Sequence, residues 1–222
     1  MSDHLVASPL RYYHYNVDGF NDCGWGCGYR TVQTILSWLS NDQLPPSIPE
    51  MQTVMQVTTA HGWIGVQEAI QVLDILHGVT VEVIPLAHGS EVARHLPRLA
   101  DHFDKGGGPI MVGGGGDVYS KTVVGVRDIH DPMCATLLIL DPHYEGSSSL
   151  AGDIATLKRE GWVAWKPLSI LSDRSFYNLA LPRPPVGRAD ADSSHSEAVG
   201  VAACEPPGGW DFEIVGSGHE GV

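Results

Sequence analysis

The sequence of 222 residues predicts an α+β domain over residues 1–182, followed by an acidic extension over 183–222. Helical apolar spacing is concentrated in the first half of the domain, and short apolar strand runs crowd the second half. That distribution fits a helix layer on a mostly antiparallel sheet better than strict alternation of strand and helix. The material for one sizeable core is present, with 43% hydrophobic residues and a mean hydropathy of −0.04.

Residues 26–39 carry Val32, Ile35, Leu36 and Leu39 at three- and four-residue spacing, which predicts a half-buried helix. Glycines and Asp22 precede it, and Asn41-Asp42 and Pro45-Pro46 end it. A short helix is expected over 49–57 and another over 65–77, with Gly78 as its stop. Residues 80–85 read as a strand and 90–103 as a helix. Strands are then expected over 109–112, 121–127, 135–140, 161–167 and 176–181. After Pro182-Arg183-Pro184-Pro185 the chain has almost no bulky apolar residues until Trp210, and residues 182–222 hold two arginines against seven acidic residues. This segment is expected to be a disordered tail.

Charge and cysteine usage narrow the function classes. With 13 basic and 26 acidic residues the formal charge is −13, which argues against a nucleic-acid partner, because phosphate binding needs clustered Lys and Arg. No apolar run approaches the roughly 18 residues of a spanning helix, so membrane insertion is not expected. Met1-Ser2-Asp3-His4 opens without the basic and apolar regions of a secretory signal. Cys23, Cys27, Cys134 and Cys204 are too scattered for a disulfide scaffold, and a reducing, cytoplasmic compartment is expected. A monomer without a cofactor is the simplest expectation.

Two segments could carry chemistry. In Asn21-Asp22-Cys23-Gly24-Trp25-Gly26-Cys27-Gly28-Tyr29-Arg30, Cys27 falls at the first turn of the predicted helix. Unpaired backbone N–H groups and the positive end of the helix dipole favour a thiolate there. The flanking glycines would let a substrate backbone approach, and the Cys27 N–H could stabilise an oxyanion. Cys27 as a small buried hydrophobe is an equally simple reading. In Leu137-Leu138-Ile139-Leu140-Asp141-Pro142-His143-Tyr144 an apolar strand ends in Asp-Pro-His. Strand alternation would place Asp141 and His143 on one side, where the carboxylate can orient the imidazole. A plain strand-ending turn with a surface histidine is the alternative. The glycines at 106–108 and 113–116 lack the Lys and Ser/Thr of a phosphate-binding loop and read as a hairpin connection or a loop over a cleft.

Taken together, Tyr12-Tyr13-His14-Tyr15-Asn16, the block from Asn21 to Thr31, Trp63-Ile64-Gly65 and Asp141-Pro142-His143-Tyr144 resemble the cysteine proteases specific for the ubiquitin-fold modifier, in their short single-domain form. The Gly-Trp-Gly-Cys and Asp-Pro-His blocks alone would also suit the autophagins, a related family. The resemblance implies a papain-like fold, with the Cys-bearing helix packed on the sheet that carries Asp-Pro-His. It implies Cys27 as nucleophile, His143 as general base and acid, Asp141 as its orienting partner, and Tyr15 as a phenol donor to the oxyanion hole. It further implies that the chain processes the precursor of the ubiquitin-fold modifier and removes the modifier from its conjugates. An autophagin-like protease and an inactive module that binds a ubiquitin-like fold are the alternatives. In the tail, Trp210-Asp211-Phe212-Glu213-Ile214-Val215 resembles a short linear motif for autophagy ubiquitin-like modifiers, with Phe212 and Val215 as anchors. An inert linker is the alternative.

Overall fold

Apolar side chains alternate along the strands of the second half, and the alternation defines two cores. In a computed structural model of the chain, residues 2–7, 9–40, 43–57, 59, 61–116, 119–146, 154–183 and 212–214 are described. Seven strands form one antiparallel sheet, ordered β3 (Val81–Leu86), β8 (Tyr177–Pro182), β4 (Ile110–Gly114), β5 (Ser120–Arg127), β6 (Thr136–Leu140) and β7 (Val163–Pro167). The seventh, β1 (Asp3–Leu5), pairs with the far end of β5, from Gly125 to Arg127, where a bulge at Val123/Gly125 has shifted the register. Met111, Val124, Leu138, Leu140 and Ala180 face one core; Ile110, Val112, Val123, Leu137, Ile139, Leu179 and Leu181 face the other. That is the period-two pattern of a sheet covered on both sides.

Helix α1 (Cys27–Leu39) lies on the first face, together with α2 (Ile48–Val54) and α3 (Val66–His77). All thirteen residues of α1 are buried, so this helix, expected to be half-buried, is covered all round. A capping box at Ser47 and Glu50 starts α2, and α3 ends at Gly78 in the left-handed conformation (φ 61°), as its glycine stop predicts. The second face is closed by α4 (Val92–Asp104), whose Val92, Leu96, Leu99, Ala100 and Phe103 are buried. The expected helix-on-antiparallel-sheet architecture is therefore present, and each expected element lies within a few residues of its observed place. Among the described strands and α-helices of the domain, three were not expected: β1, β2 (Leu10–Tyr12) and α5 (Ile154–Glu160).

In the tail beyond Arg183, the described residues are Phe212–Ile214, and these differ from expectation. Phe212–Ile214 form a strand, β9, parallel to β2 in the register Leu10 to Phe212 and Tyr12 to Ile214. For these three residues the expectation of disorder is corrected. Trp210 and Val215, the remaining landmarks of the linear-motif reading, lie outside the described residues.

Candidate active site

Cys27 is the first residue of α1, and the turn leading into it is built on a buried ion pair. The Trp25 and Gly26 N–H groups donate to the Asp22 carbonyl at 3.2 and 2.8 Å. The Asp22 carboxylate accepts a fork from Arg30, Nε to Oδ2 at 2.9 Å and Nη2 to Oδ1 at 2.8 Å. Both side chains are fully buried. Arg30 reaches Asp18 as well, at 2.8 and 2.9 Å, and Gln33 at 3.0 Å. A buried guanidinium needs this many acceptors, because an unpaired charge there would cost several kcal/mol. The Asn16 N–H also donates to Asp22 Oδ1, at 2.9 Å, so one carboxylate ties the segment after Tyr15 to the start of α1. A Cβ on Gly26 would sit 2.1 Å from Asp22 Oδ2, and one on Gly28 would sit 2.6 Å from the Ile64 carbonyl oxygen. These two glycines are required by the protein's own packing, where the sequence suggested room for a substrate backbone.

Asp141 and His143 come together in a turn, and strand alternation plays no part in it. Strand β6 ends at Leu140, and the Asp141 carboxylate then accepts from the backbone N–H of His143 at 3.2 Å, two residues on. Such side-chain-to-backbone turns are a habit of aspartate. The same oxygen, Oδ1, lies 2.5 Å from His143 Nδ1. Oδ2 accepts from Lys121 Nζ at 2.6 Å. Burial pulls the Asp141 carboxyl upward, but the bond to His143 and the Lys121 ammonium outweigh it and hold the group at about 2. Burial pushes His143 down, and its bonds to Asp141 and Cys27 prevail, leaving the imidazole above its ordinary value.

With Nδ1 taken by Asp141, the other ring nitrogen is left for the Cys27 side chain, to which His143 is hydrogen-bonded. Burial raises the Cys27 thiol, yet the hydrogen bond from His143, the Ser120 backbone N–H, the His143 charge and the Tyr15 hydroxyl together lower it below the ordinary thiol range. Cys23 is the contrast. It accepts from Asn16 Nδ2 at 3.0 Å, and burial leaves its thiol raised. The two cysteines four residues apart are thus set in opposite directions.

Tyr15 joins the two halves of the site. Its N–H donates to the Pro142 carbonyl at 2.9 Å, and its ring stands edge-on to His143, centroids 5.3 Å apart at 83°. Its phenol shares a hydrogen bond with the Cys27 side chain, and burial and the neighbouring sulfur raise its own titration well above normal. Next to it, the buried His14 bonds through Nδ1 to the Tyr15 carbonyl at 2.8 Å, and Tyr12 Oη donates to the Asp141 carbonyl. The structure therefore brings together all four residues singled out in the domain: Cys27, Asp141, His143 and Tyr15. Sequence reasoning did not find Lys121, Ser120 or Arg30 as parts of the site. Arg30 lay within the quoted block, but nothing local marks an arginine as buried, and Lys121 meets Asp141 only through strand pairing. Among the described residues, no three His, Cys, Asp or Glu side chains group as metal ligands.

A helix-borne thiol with a lowered pKa, an imidazole bonded to it and a carboxylate behind the imidazole, on a helix-and-antiparallel-sheet frame, define a papain-like thiol peptidase. The chain belongs to peptidase family C78, whose pattern matches residues 2–180. It is 39% identical over 193 residues to "Ufm1-specific protease" of Caenorhabditis elegans, covering 81% of this chain and 32% of that protein. With human "Ufm1-specific protease 2" it shares 37% identity, covering 82% of this chain and 40% of the relative. Mouse "Ufm1-specific protease 1" is 36% identical over 190 residues, which is 81% of this chain and 85% of the relative. The chain thus spans about a third of the Caenorhabditis elegans relative and most of the mouse one. Among solved structures, the crystal structure of UfSP from C. elegans superposes with a TM-score of 0.73 at 38% identity, over 83% of this chain and 34% of that one.

Proposed function

We propose that this chain is a thiol protease that cleaves after the C-terminal glycine of the ubiquitin-fold modifier, Ufm1, both in its precursor and in its conjugates to lysine. The observation that carries the reading is the hydrogen-bonded series Cys27–His143–Asp141 at the start of α1. The relatives' printed names supply the substrate class.

The steps follow from the geometry. Cys27 attacks the glycine carbonyl as a thiolate, its proton held by His143. The oxyanion that forms is met by the Cys27 N–H, which as the first helical N–H has no acceptor within the helix, and by the Tyr15 hydroxyl. His143 then protonates the departing amine, which is a peptide nitrogen in the precursor and a lysine Nζ in a conjugate. A thioester between Cys27 and the modifier remains. Water, deprotonated by His143, attacks that thioester and releases the modifier with a free glycine carboxylate. Asp141 keeps Nδ1 of the ring occupied throughout, so that the second nitrogen always faces the sulfur. The need for a free thiol fits a reducing compartment, and we place the enzyme in the cytoplasm.

The test is direct. The purified chain is incubated with the Ufm1 precursor and, separately, with an autophagy modifier precursor, and products are read by mass spectrometry. Release of the peptide following the Ufm1 glycine, absent with Cys27→Ser, is the expected result. Cleavage of the autophagy precursor alone would transfer the activity to the autophagin class, and cleavage of neither would reduce the chain to a binding module.

A further inference from the structure

The two oxygens of Asp141 do different things. Oδ1 serves His143, through both the ring and the backbone N–H, and Oδ2 is taken by Lys121. Lys121 is delivered there by strand pairing. Thr122 of β5 lies opposite Leu140 of β6, so the residue before Thr122 stands beside the residue after Leu140. The ammonium and the carboxylate are each largely withdrawn from water, at 17% and 18% side-chain exposure. The stem of the lysine is steadied from the strand's own approach, where Tyr119 stands under the ammonium at 5.3 Å from ring centroid to Nζ. The same Tyr119 ring meets His143 edge-on, 4.6 Å between centroids. Lysine, tyrosine, carboxylate and imidazole thus form one closed set of contacts beside Cys27. An exposed ion pair would add little to anything. This one is sheltered, and it has a geometric consequence: a carboxylate turns easily about its broad terminal torsion, and a cation on Oδ2, opposite the two His143 contacts on Oδ1, fixes its plane from the far side.

We propose that Lys121 is a positioning residue for the acyl transfer: it locks the Asp141 carboxylate with Oδ1 on His143, and its charge offsets that of Asp141. This rests on the reading of Cys27 and His143 as the reacting pair. The second effect has a sign. A lone carboxylate would stabilise the imidazolium more strongly, and His143 would surrender its proton less readily. Lys121 moderates that pull, so the ring can alternate between acid and base near neutral pH. The charged and titratable groups facing the pair are Cys27 from α1, Tyr15 from the segment after β2, Tyr12 from β2 on the Asp141 carbonyl, and Lys121 with Tyr119 from β5.

Two variants separate this from a merely structural ion pair. Lys121→Met keeps the stem and removes the cation; Lys121→Arg keeps a cation that can reach Oδ2. For each, and for the unsubstituted parent chain, kcat and KM for Ufm1 precursor cleavage are measured against pH. Alkylation of Cys27 by iodoacetamide is followed in parallel, resolved at the peptide by mass spectrometry. Lys121→Met is expected to lose about tenfold to a hundredfold in kcat with KM unchanged. The alkaline limb of cleavage, which reports the loss of the His143 proton, should move up on the order of half to one pH unit, and the pH profile of alkylation should shift measurably from the parent's. Lys121→Arg should keep the parent's limb and most of its kcat. Superimposable profiles for Lys121→Met and the parent would overturn the proposal. So would an equal loss in both variants with the limb unmoved, the sign of a structural role alone. The alkylation arm needs no modifier. A parent that leaves Ufm1 uncut, yet shows a His143-dependent alkylation limb that Lys121→Met shifts, would refute the substrate reading and leave this one standing.

Discussion

Asp141→Asn removes one charge and adds one donor at the centre of the site, and the structure sets the size of both effects. Asp141 is held at about 2 against an ordinary 3.8, and its side chain is only 18% exposed. That difference corresponds to roughly 2.5 kcal/mol in favour of the ionised, paired carboxylate. Because the folded value is depressed, this stabilisation is complete above about pH 4 and is lost as pH falls through about 2. Asparagine cannot supply it, and it creates a conflict besides. With its carbonyl on His143, its amide N–H groups face the Lys121 ammonium, donor against donor. With the amide turned round, it donates to Nδ1 and imposes the wrong tautomer on the ring. Asp141→Asn is therefore expected to cost about 2 kcal/mol of stability near neutral pH and on the order of 10³–10⁴-fold in kcat. Adding Lys121→Met relieves the donor conflict, so the double variant should recover part of the stability and none of the activity. Urea titration at pH 7 and at about pH 2.5, with precursor cleavage at pH 7, measures both. A stable Asp141→Asn protein within tenfold of parental kcat would refute the assignment of Asp141 as the orienting carboxylate.

Tyr15→Phe keeps the edge-on ring against His143 and removes only the hydroxyl, so kcat should fall about 10²–10³-fold with the melting temperature unchanged; an unaltered kcat would make Tyr15 a packing residue. Cys27 alkylation should already run fast near neutral pH, since its thiol is lowered and His143 is raised. In His143→Ala the ascending limb should move up towards or past the ordinary thiol value, because burial then acts with its main opponent gone; an unmoved limb would show that His143 does not set the thiol. Arg30→Met strands Asp22 and Asp18 in or beside the core and should cost about 3–5 kcal/mol in chemical denaturation, whereas a loss under 1 kcal/mol would mean that the turn before Cys27 holds without the pair.

The residues that share a local signal were legible in the sequence. Val32, Ile35, Leu36 and Leu39 announce α1 by periodicity; of the glycine run at 113–116, Gly113 and Gly114 end β4 and only Gly115 and Gly116 fall in its connection to β5. The segments that escaped were too short or too polar to leave a pattern. Strands β1 and β2 have three residues each, and α5, Ile-Ala-Thr-Leu-Lys-Arg-Glu, buries only Leu157. At the site, Asp141 and His143 were found for a geometric reason that did not hold, since an aspartate turn brings them together and not the strand period. Arg30 and Lys121 were invisible because their roles depend on distant pairing: Arg30 with acceptors eight and twelve residues back, and Lys121 with a carboxylate twenty residues on. Strand order, with β8 inserted between β3 and β4, is likewise a property of the assembled sheet.

The central claim is that Cys27, activated by His143, attacks the carbonyl of the modifier's terminal glycine. Ufm1 carrying an electrophile in place of that terminal carboxylate tests it in one measurement, with the adduct mapped by peptide mass spectrometry. The account predicts a single covalent adduct on Cys27, formed in the parent and in Cys23→Ser, and reduced at least 10³-fold in rate in His143→Ala. An adduct on Cys23, or equal labelling with and without His143, would contradict it.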